Sequence, residues 1–174
     1  MYFNSFPVIP YKNDKDGNLK DVTNLLRRVA VRAKISANTA MFDTYDVRDG
    51  DTPEIIADRF YEDSELHWII LLLNNVTDRY HQWPMSQPQF QAYVNDKYTN
   101  PSGIHHYEIA QTSGDTTIKI EVNDLTTYPT ATAITNLEYE EREQDKKRSI
   151  KLLNPRFVPD FVDEFKERVK ESVI

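Results

Sequence analysis

Four histidines and one pair of aspartates are the groups in this 174-residue chain whose type and spacing could do chemistry. His67 stands in a predicted helix, but position 71 is Leu, so the i, i+4 partner of a helical metal site is missing. His81 follows Tyr80 in an aromatic loop. His105 and His106 are adjacent in a predicted strand, which should send their rings to opposite faces and keep them from sharing a metal. Asp49 and Asp51 flank Gly50 and resemble the two carboxylates of a glycosidase. Asp beside Gly is more simply turn chemistry, because Gly accepts a left-handed backbone and Asp bonds local amides. No Gly-x-Ser-x-Gly elbow, Walker loop or dinucleotide fingerprint is present, and 4 glycines leave little for a phosphate cradle. With no cysteine there is no disulfide, thiol nucleophile or Cys-ligated zinc. The expectation is a non-enzyme with no catalytic residue, no cofactor and no metal site.

The elements around these residues point elsewhere. Tyr45 and Val47 alternate with Asp46 and Arg48, the pattern of a half-buried strand. Asp49-Gly50-Asp51 ends it, Thr52 can cap a helix, and Pro53 suits the first helical position. Ile56 and Phe60 share one face of that helix. A second helix follows, capped by Asp63 or Ser64, with Glu65 in its first turn. Leu66, Ile69, Ile70 and Leu73 form one stripe on it, and Trp68, Leu71 and Leu72 form another. A helix apolar nearly all round must be covered on both sides. A strand–helix–helix unit covers one, so the rest of the chain or another protein covers the other. Trp68 is thus either core or a partner anchor.

Before this stretch, Pro7 and Pro10 favour an extended arm carrying Phe3 and Phe6, which lies across its own domain or docks on a neighbour. Lys12 to Asn18 is a polar turn. Asp21 can cap a short helix bearing Val22, Leu25 and Leu26, and period-two alternation from Val29 to Ile35 predicts a strand. After the stretch, Val76 to Ser86 is a packed loop in which Trp83-Pro84 ends as a short return strand. Ser86 caps a helix to Tyr98 with Phe90, Tyr93 and Val94 on one face. Ile104–Gln111 and Thr116–Val122 form a hairpin. Asn123 to Thr132 crosses the surface. A charged helix, opened by Thr135 or Asn136, runs to Lys147 and reads as solvated and charge-paired. Ser149–Leu153 is a strand, and a last helix, Pro159 to Glu171, aligns Phe161, Val162, Phe165 and Val169.

The totals agree with a binding protein as well as with a small core. Hydrophobic residues are 39%, charged residues 28%, and there are 10 Tyr and 8 Phe. A net charge of −7 and no basic stripe disfavour nucleic acid. The longest apolar run, Trp68 to Leu73, is too short for a membrane span, and the N-terminus lacks the pattern of a secretion signal.

The stretch from Tyr45 resembles the LysM module through Tyr45, Val47, Gly50-Asp51-Thr52, Ile56-Ala57, Phe60-Tyr61, Trp68 and Asn74-Asn75. The resemblance implies a βααβ fold and N-acetyl sugar binding. Pro53 stands where the module has Leu, and Glu62 where a Gly commonly follows the first helix. Both lie beside the loops that would grip a glycan and argue against sugar binding. Residues 45–55, 66–72, 83–86 and 147–155 together are similar to the LysM-containing baseplate wedge proteins of T4-like contractile-tailed phages. That resemblance implies a structural role: clamping wedge proteins and joining neighbouring wedges during tail assembly. The partners would be other wedge proteins, with no nucleic acid or membrane, in a virion baseplate assembled in the host cytoplasm. The interface would use Phe3, Phe6, Trp68, Leu71, Leu72 and Trp83. A peptidoglycan-binding or glycan-active tail-tip protein, or a bacterial tail-like injection machine, is the alternative. The expected fold is α+β: a small LysM-like core with an added hairpin, peripheral helices and extended arms. Residues 1–42 would be arm, helix and strand, 43–86 the module, and 87–174 the C-terminal extension.

Overall fold

The computed structural model describes residues 2–12, 17–27, 29–30, 39–115 and 117–171 of the chain. They form a mixed α+β protein whose chain groups into two compact units. The first unit takes Met1–Val47, Asp51–Gln82 and Ile150–Ile174, and the second takes Arg48–Gly50 and Trp83–Ser149.

The first unit opens with a 3-10 turn at Tyr2–Ser5 and two strands, β1 (Val8–Lys12) and β2 (Leu19–Thr23), which pair antiparallel. The short helix expected from Asp21 is therefore a strand. One turn of helix cannot repay its own nucleation, whereas β1 offers a ready ladder to β-branched Val22 and Thr23. The strand expected across Val29–Ile35 falls mostly outside the described residues. Strand β3 (Phe42–Asp46) leads through Gly50, at φ +79°, to helix α1 (Pro53–Tyr61). The Thr52 hydroxyl accepts from the Ile55 amide, and Pro53 sits in the first turn, where its missing N–H costs nothing. A 3-10 turn at Ser64–Leu66, capped by Asp63, runs into α2 (His67–Leu73).

Helix α2 ends in a Schellman motif. Asn75 takes a left-handed backbone (φ +54°), Val76 N–H donates to Leu71 O at 2.9 Å, and Asn75 N–H donates to Leu72 O at 3.3 Å. No return strand follows at Trp83-Pro84. Pro84 has no N–H for a ladder, and Ser86 already belongs to the capping box of the next long helix. Strand β3 pairs instead with β7 (Ser149–Leu153), far along the chain. Asn74 fastens β7: its Nδ2 donates to Lys151 O at 2.8 Å and its Oδ1 accepts from Lys151 N at 2.8 Å. Tyr61 Oη accepts from Leu153 N at 3.0 Å, and burial pushes this phenol up to about 12.

The last helix, α6 (Val158–Glu171), closes the core. Ile69, Leu73, Leu153 and Val158 pack together, with Leu66, Phe161 and Val162 against them. Phe165 and Val169 pack with Phe6, and Tyr2, Trp68 and Leu72 lie against that group. Both stripes of α2 are thus engaged by the chain itself.

The second unit begins with α4 (Gln87–Lys97), after the single-turn α3 (Arg79–Gln82) that ends the loop of the first unit. The expected hairpin is present as β4 (Ile104–Ala110) and β5 (Lys119–Val122), with Tyr107 opposite Val122 and Ala110 opposite Lys119. A third strand, β6 (Thr132–Thr135), lies on the other side of β4 and begins at Thr132, the last residue of the expected surface crossing. Helix α5 (Asn136–Arg148) follows directly, with Thr135 Oγ1 accepting from Glu138 N. It is not solvated all round. Glu140 and Gln144, four apart, are buried, and Gln144 Oε1 accepts from Met85 N at 3.0 Å.

Candidate functional site

The β3–α1 turn carries most of the motif residues, and it is a closed network. Asp51 accepts from Tyr45 Oη at 2.6 Å and from both terminal nitrogens of Arg59, at 3.1 and 3.2 Å. Arg59 also reaches Tyr45 Oη at 2.8 Å. The Asp51 carboxylate holds the Arg59 guanidinium above its usual range. Phe60 meets the Tyr45 ring edge-on at 5.2 Å. Val47 and Ile56 are buried, and Thr52 and Gly50 supply the cap and the left-handed turn. Asp49 does something separate: its carboxylate accepts from the Gln87 amide at 2.8 Å, at the first turn of α4. Both aspartates therefore serve turn and helix-start chemistry.

The structure distributes the expected interface residues. Trp68 stands in an aromatic cluster, 4.4 Å from Phe165, 5.2 Å from Tyr2 and 6.2 Å from Phe161 between ring centroids. Phe6 is buried in the same cluster and meets Tyr2 edge-on. Leu71 and Leu72 are half-buried on α2, and Trp83 is buried in the second unit. Phe3, at 58% exposure, is the one aromatic of the set on the surface.

Among the described residues a run of exposed apolar side chains lies where the sequence predicts an extended arm, a polar turn and a short helix. Every residue of β1 and β2 is exposed, among them Val8, Ile9, Tyr11, Leu19 and Val22, and Leu25 and Leu26 follow. The signal was present in the sequence as two five-residue extended segments either side of a polar stretch with Gly17, whose φ is +65°.

The histidine pair corrects another expectation. His105 and His106 Nδ1 atoms are 2.8 Å apart, on the same side of β4. The ladder to β6 shifts register between Ile104 and His106, so His105 is the extra residue of a bulge and the alternation fails there. The His105 ring stacks on Tyr139 at 3.9 Å, and His106 Nε2 donates to Glu108 at 2.9 Å. Arg142 grips Glu108 with two contacts of 2.9 Å. Burial would raise the Glu108 carboxyl, but the bonds from His106 and Arg142 outweigh it and hold it below the ordinary range. Nearby, Glu140 accepts from Tyr98 Oη at 2.7 Å and Lys97 Nζ at 2.6 Å. Its carboxyl too is held down despite burial, by Lys97 and Tyr98.

These groups are paired with one another as structural networks. Among the described residues no three His, Cys, Asp or Glu side chains are grouped to hold a metal, and no helix is long and apolar enough to cross a membrane. A shallow depression of about 210 Å³ is lined by Gln87, Phe90, Glu141, Gln144, Asp145 and Arg148, where Arg148 pairs with Asp145 at 3.4 Å and Gln144 is already committed to Met85.

The networks around Asp51, Glu108 and Glu140 are satisfied within the chain, and the described residues leave an apolar ribbon exposed, as in a structural component that binds through its surface. The family model described as "Base plate wedge protein 53" matches residues 1–171, and the chain belongs to that family of phage baseplate wedge proteins. No curated protein matches the chain. Membership places it in the virion tail baseplate, among other baseplate components.

Proposed function

We propose that the chain is a non-enzymatic component of the baseplate wedge that clamps other wedge proteins and helps to join neighbouring wedges while a contractile tail is assembled in the host cytoplasm. The observation that carries this reading is the match of the wedge-protein model to residues 1–171. The order β3, α1, α2 and the return to β7 fits a LysM-like βααβ core in which the closing strand comes from a distant part of the chain. In this setting the core acts as a protein-binding scaffold. Its turn carboxylate Asp51 is occupied by Tyr45 and Arg59, which leaves it with little to offer a sugar hydroxyl.

The test is co-expression of the tagged chain with the other wedge proteins of its phage, beside sedimentation of the purified chain with peptidoglycan. Co-purification with wedge proteins and no sedimentation is the expected result. Sedimentation with peptidoglycan and no protein partner would overturn the reading and make this a wall-binding protein.

A further inference from the structure

The β1–β2 ribbon has two outer edges that differ chemically. In an antiparallel ladder, directly opposed residues alternate between pairs that exchange hydrogen bonds and pairs whose N–H and C=O groups point outward. The phase is fixed here by Asn24 N, which donates to Pro7 O at 2.9 Å across the ribbon. Pro7 and Asn24 are therefore a bonded pair, as are Ile9 with Val22 and Tyr11 with Lys20. Val8, Pro10 and Lys12 on β1, and Leu19, Asp21 and Thr23 on β2, then turn their backbone groups outward. On the β1 edge Pro10 has no N–H to offer, so the middle donor is missing. The β2 edge carries all three donors and all three acceptors. Among the described residues neither edge has a further strand.

A two-stranded ribbon exposed on both faces is marginal in water, and an unprotected edge beside apolar side chains is a template for another strand. Leu19 is 70% exposed on one face of the ribbon, and Val22 lies on the other. We infer that the outer edge of β2 accepts an extended strand from another baseplate protein, which completes a three-stranded sheet. A second copy of this chain is the poorer occupant. Symmetric antiparallel pairing of two β2 edges, the register that uses all three outward residues, would set Asp21 directly against Asp21 of the other copy, which repels. The fitting strand has a basic residue beside Asp21, an acidic one beside Lys20, and apolar residues beside Leu19 and Val22.

This inference rests on the wedge role, and the experiment separates the two. The chain is co-expressed with the other wedge proteins of its phage, and amide hydrogen exchange is compared between the free chain and the purified particle. Leu19, Asp21 and Thr23 amides should slow by at least about tenfold on assembly, while the outward Val8 and Lys12 amides stay fast. Asp21→Pro removes one outward donor and no bond to β1, so it should lower incorporation by about tenfold, whereas Val8→Pro on the other edge should not. Protection of the Ile9 and Tyr11 amides in Asp21→Pro verifies that the ribbon is intact. Particles that contain the chain but leave Leu19, Asp21 and Thr23 unprotected, or that take up Asp21→Pro as well as wild type, would overturn the inference alone. Failure of the wild-type chain to enter particles would overturn the wedge role and this inference with it.

Discussion

Replacing Asn74 tests whether one side chain fastens the distant strand to the core. Asn74 Nδ2 donates to Ile70 O at 2.9 Å and to Lys151 O at 2.8 Å, while Oδ1 accepts from Lys151 N at 2.8 Å. The orientation of the amide is fixed, because the Lys151 N–H can only donate. Asn74→Ala removes both bonds to β7. At about 1 kcal/mol each, with water able to reach exposed Lys151, the cost is about 2 kcal/mol. Asn74→Asp is nearly the same shape and keeps the acceptor. It also turns a charged oxygen toward two carbonyls, Ile70 O and Lys151 O, at the C-terminal end of a helix, where negative charge is unfavourable. The isosteric change should therefore cost more than the truncation, about 3 kcal/mol at pH 7. Urea unfolding gives both values, and exchange of the Lys151 amide reports the strand locally. On acidification the Asp carboxyl gains a proton and a donor, so this variant should recover relative to Ala. An Asp variant as stable as Asn at pH 7, or an Ala variant within about 0.5 kcal/mol of wild type, would refute the fastening role.

Other changes have equally definite outcomes. Glu62 holds a left-handed backbone at the end of α1 (φ +57°), with its N–H on Asp58 O, so Glu62→Gly should stabilise by about 1 kcal/mol in urea unfolding. Trp68→Ala should cost about 3 kcal/mol in a thermal or urea melt, because it breaks up the cluster of Tyr2, Phe161 and Phe165, whereas exposed Phe3→Ala should cost under about 0.5. Glu140 and Glu108 have folded pKa values below the ordinary carboxyl value, 4.5, so their contribution is full above that pH and is lost as the pH falls through the lower folded values. Unfolding curves taken from pH 7 to 3 should show wild type weakening in that acid range, and Glu140→Gln should be about 2 kcal/mol less stable at pH 7 with a flatter acid limb.

Local signals in the sequence were sufficient wherever the chain decides its own conformation. Thr52-Pro53 fixes the start of α1, Ser86 the start of α4, and the spacing of Phe161, Phe165 and Val169 the inner face of α6. Reading failed where a residue's state depends on a partner far away. Nothing local marks Ser149–Leu153 as the strand that pairs with β3, because the decision lies in Asn74 and Tyr61. Leu19–Thr23 is as short as a helix turn and becomes a strand only through β1. The bulge that brings His105 to His106 is visible only in the ladder to β6. Glu140 looked solvated in a run of charges, yet Lys97 and Tyr98 make its burial tolerable.

The same distinction bears on which aromatic and apolar residues remain for assembly. A side chain packed in a core and one offered to a partner both read as apolar in sequence, but one surface cannot do both at once. Trp68, Phe6 and Leu72 are engaged with Tyr2, Phe165 and Val169, so their loss should lower stability first and assembly only as a consequence. Ile9, Leu19 and Val22 are exposed on a ribbon whose ladder consists of backbone bonds, so their replacement by polar residues should leave the melting curve of the free chain unchanged and act on incorporation alone. A ribbon variant that lowers stability as much as Trp68→Ala would mean that the ribbon is part of the core. A Trp68→Ala chain that keeps its stability but fails to assemble would return the interface to α2.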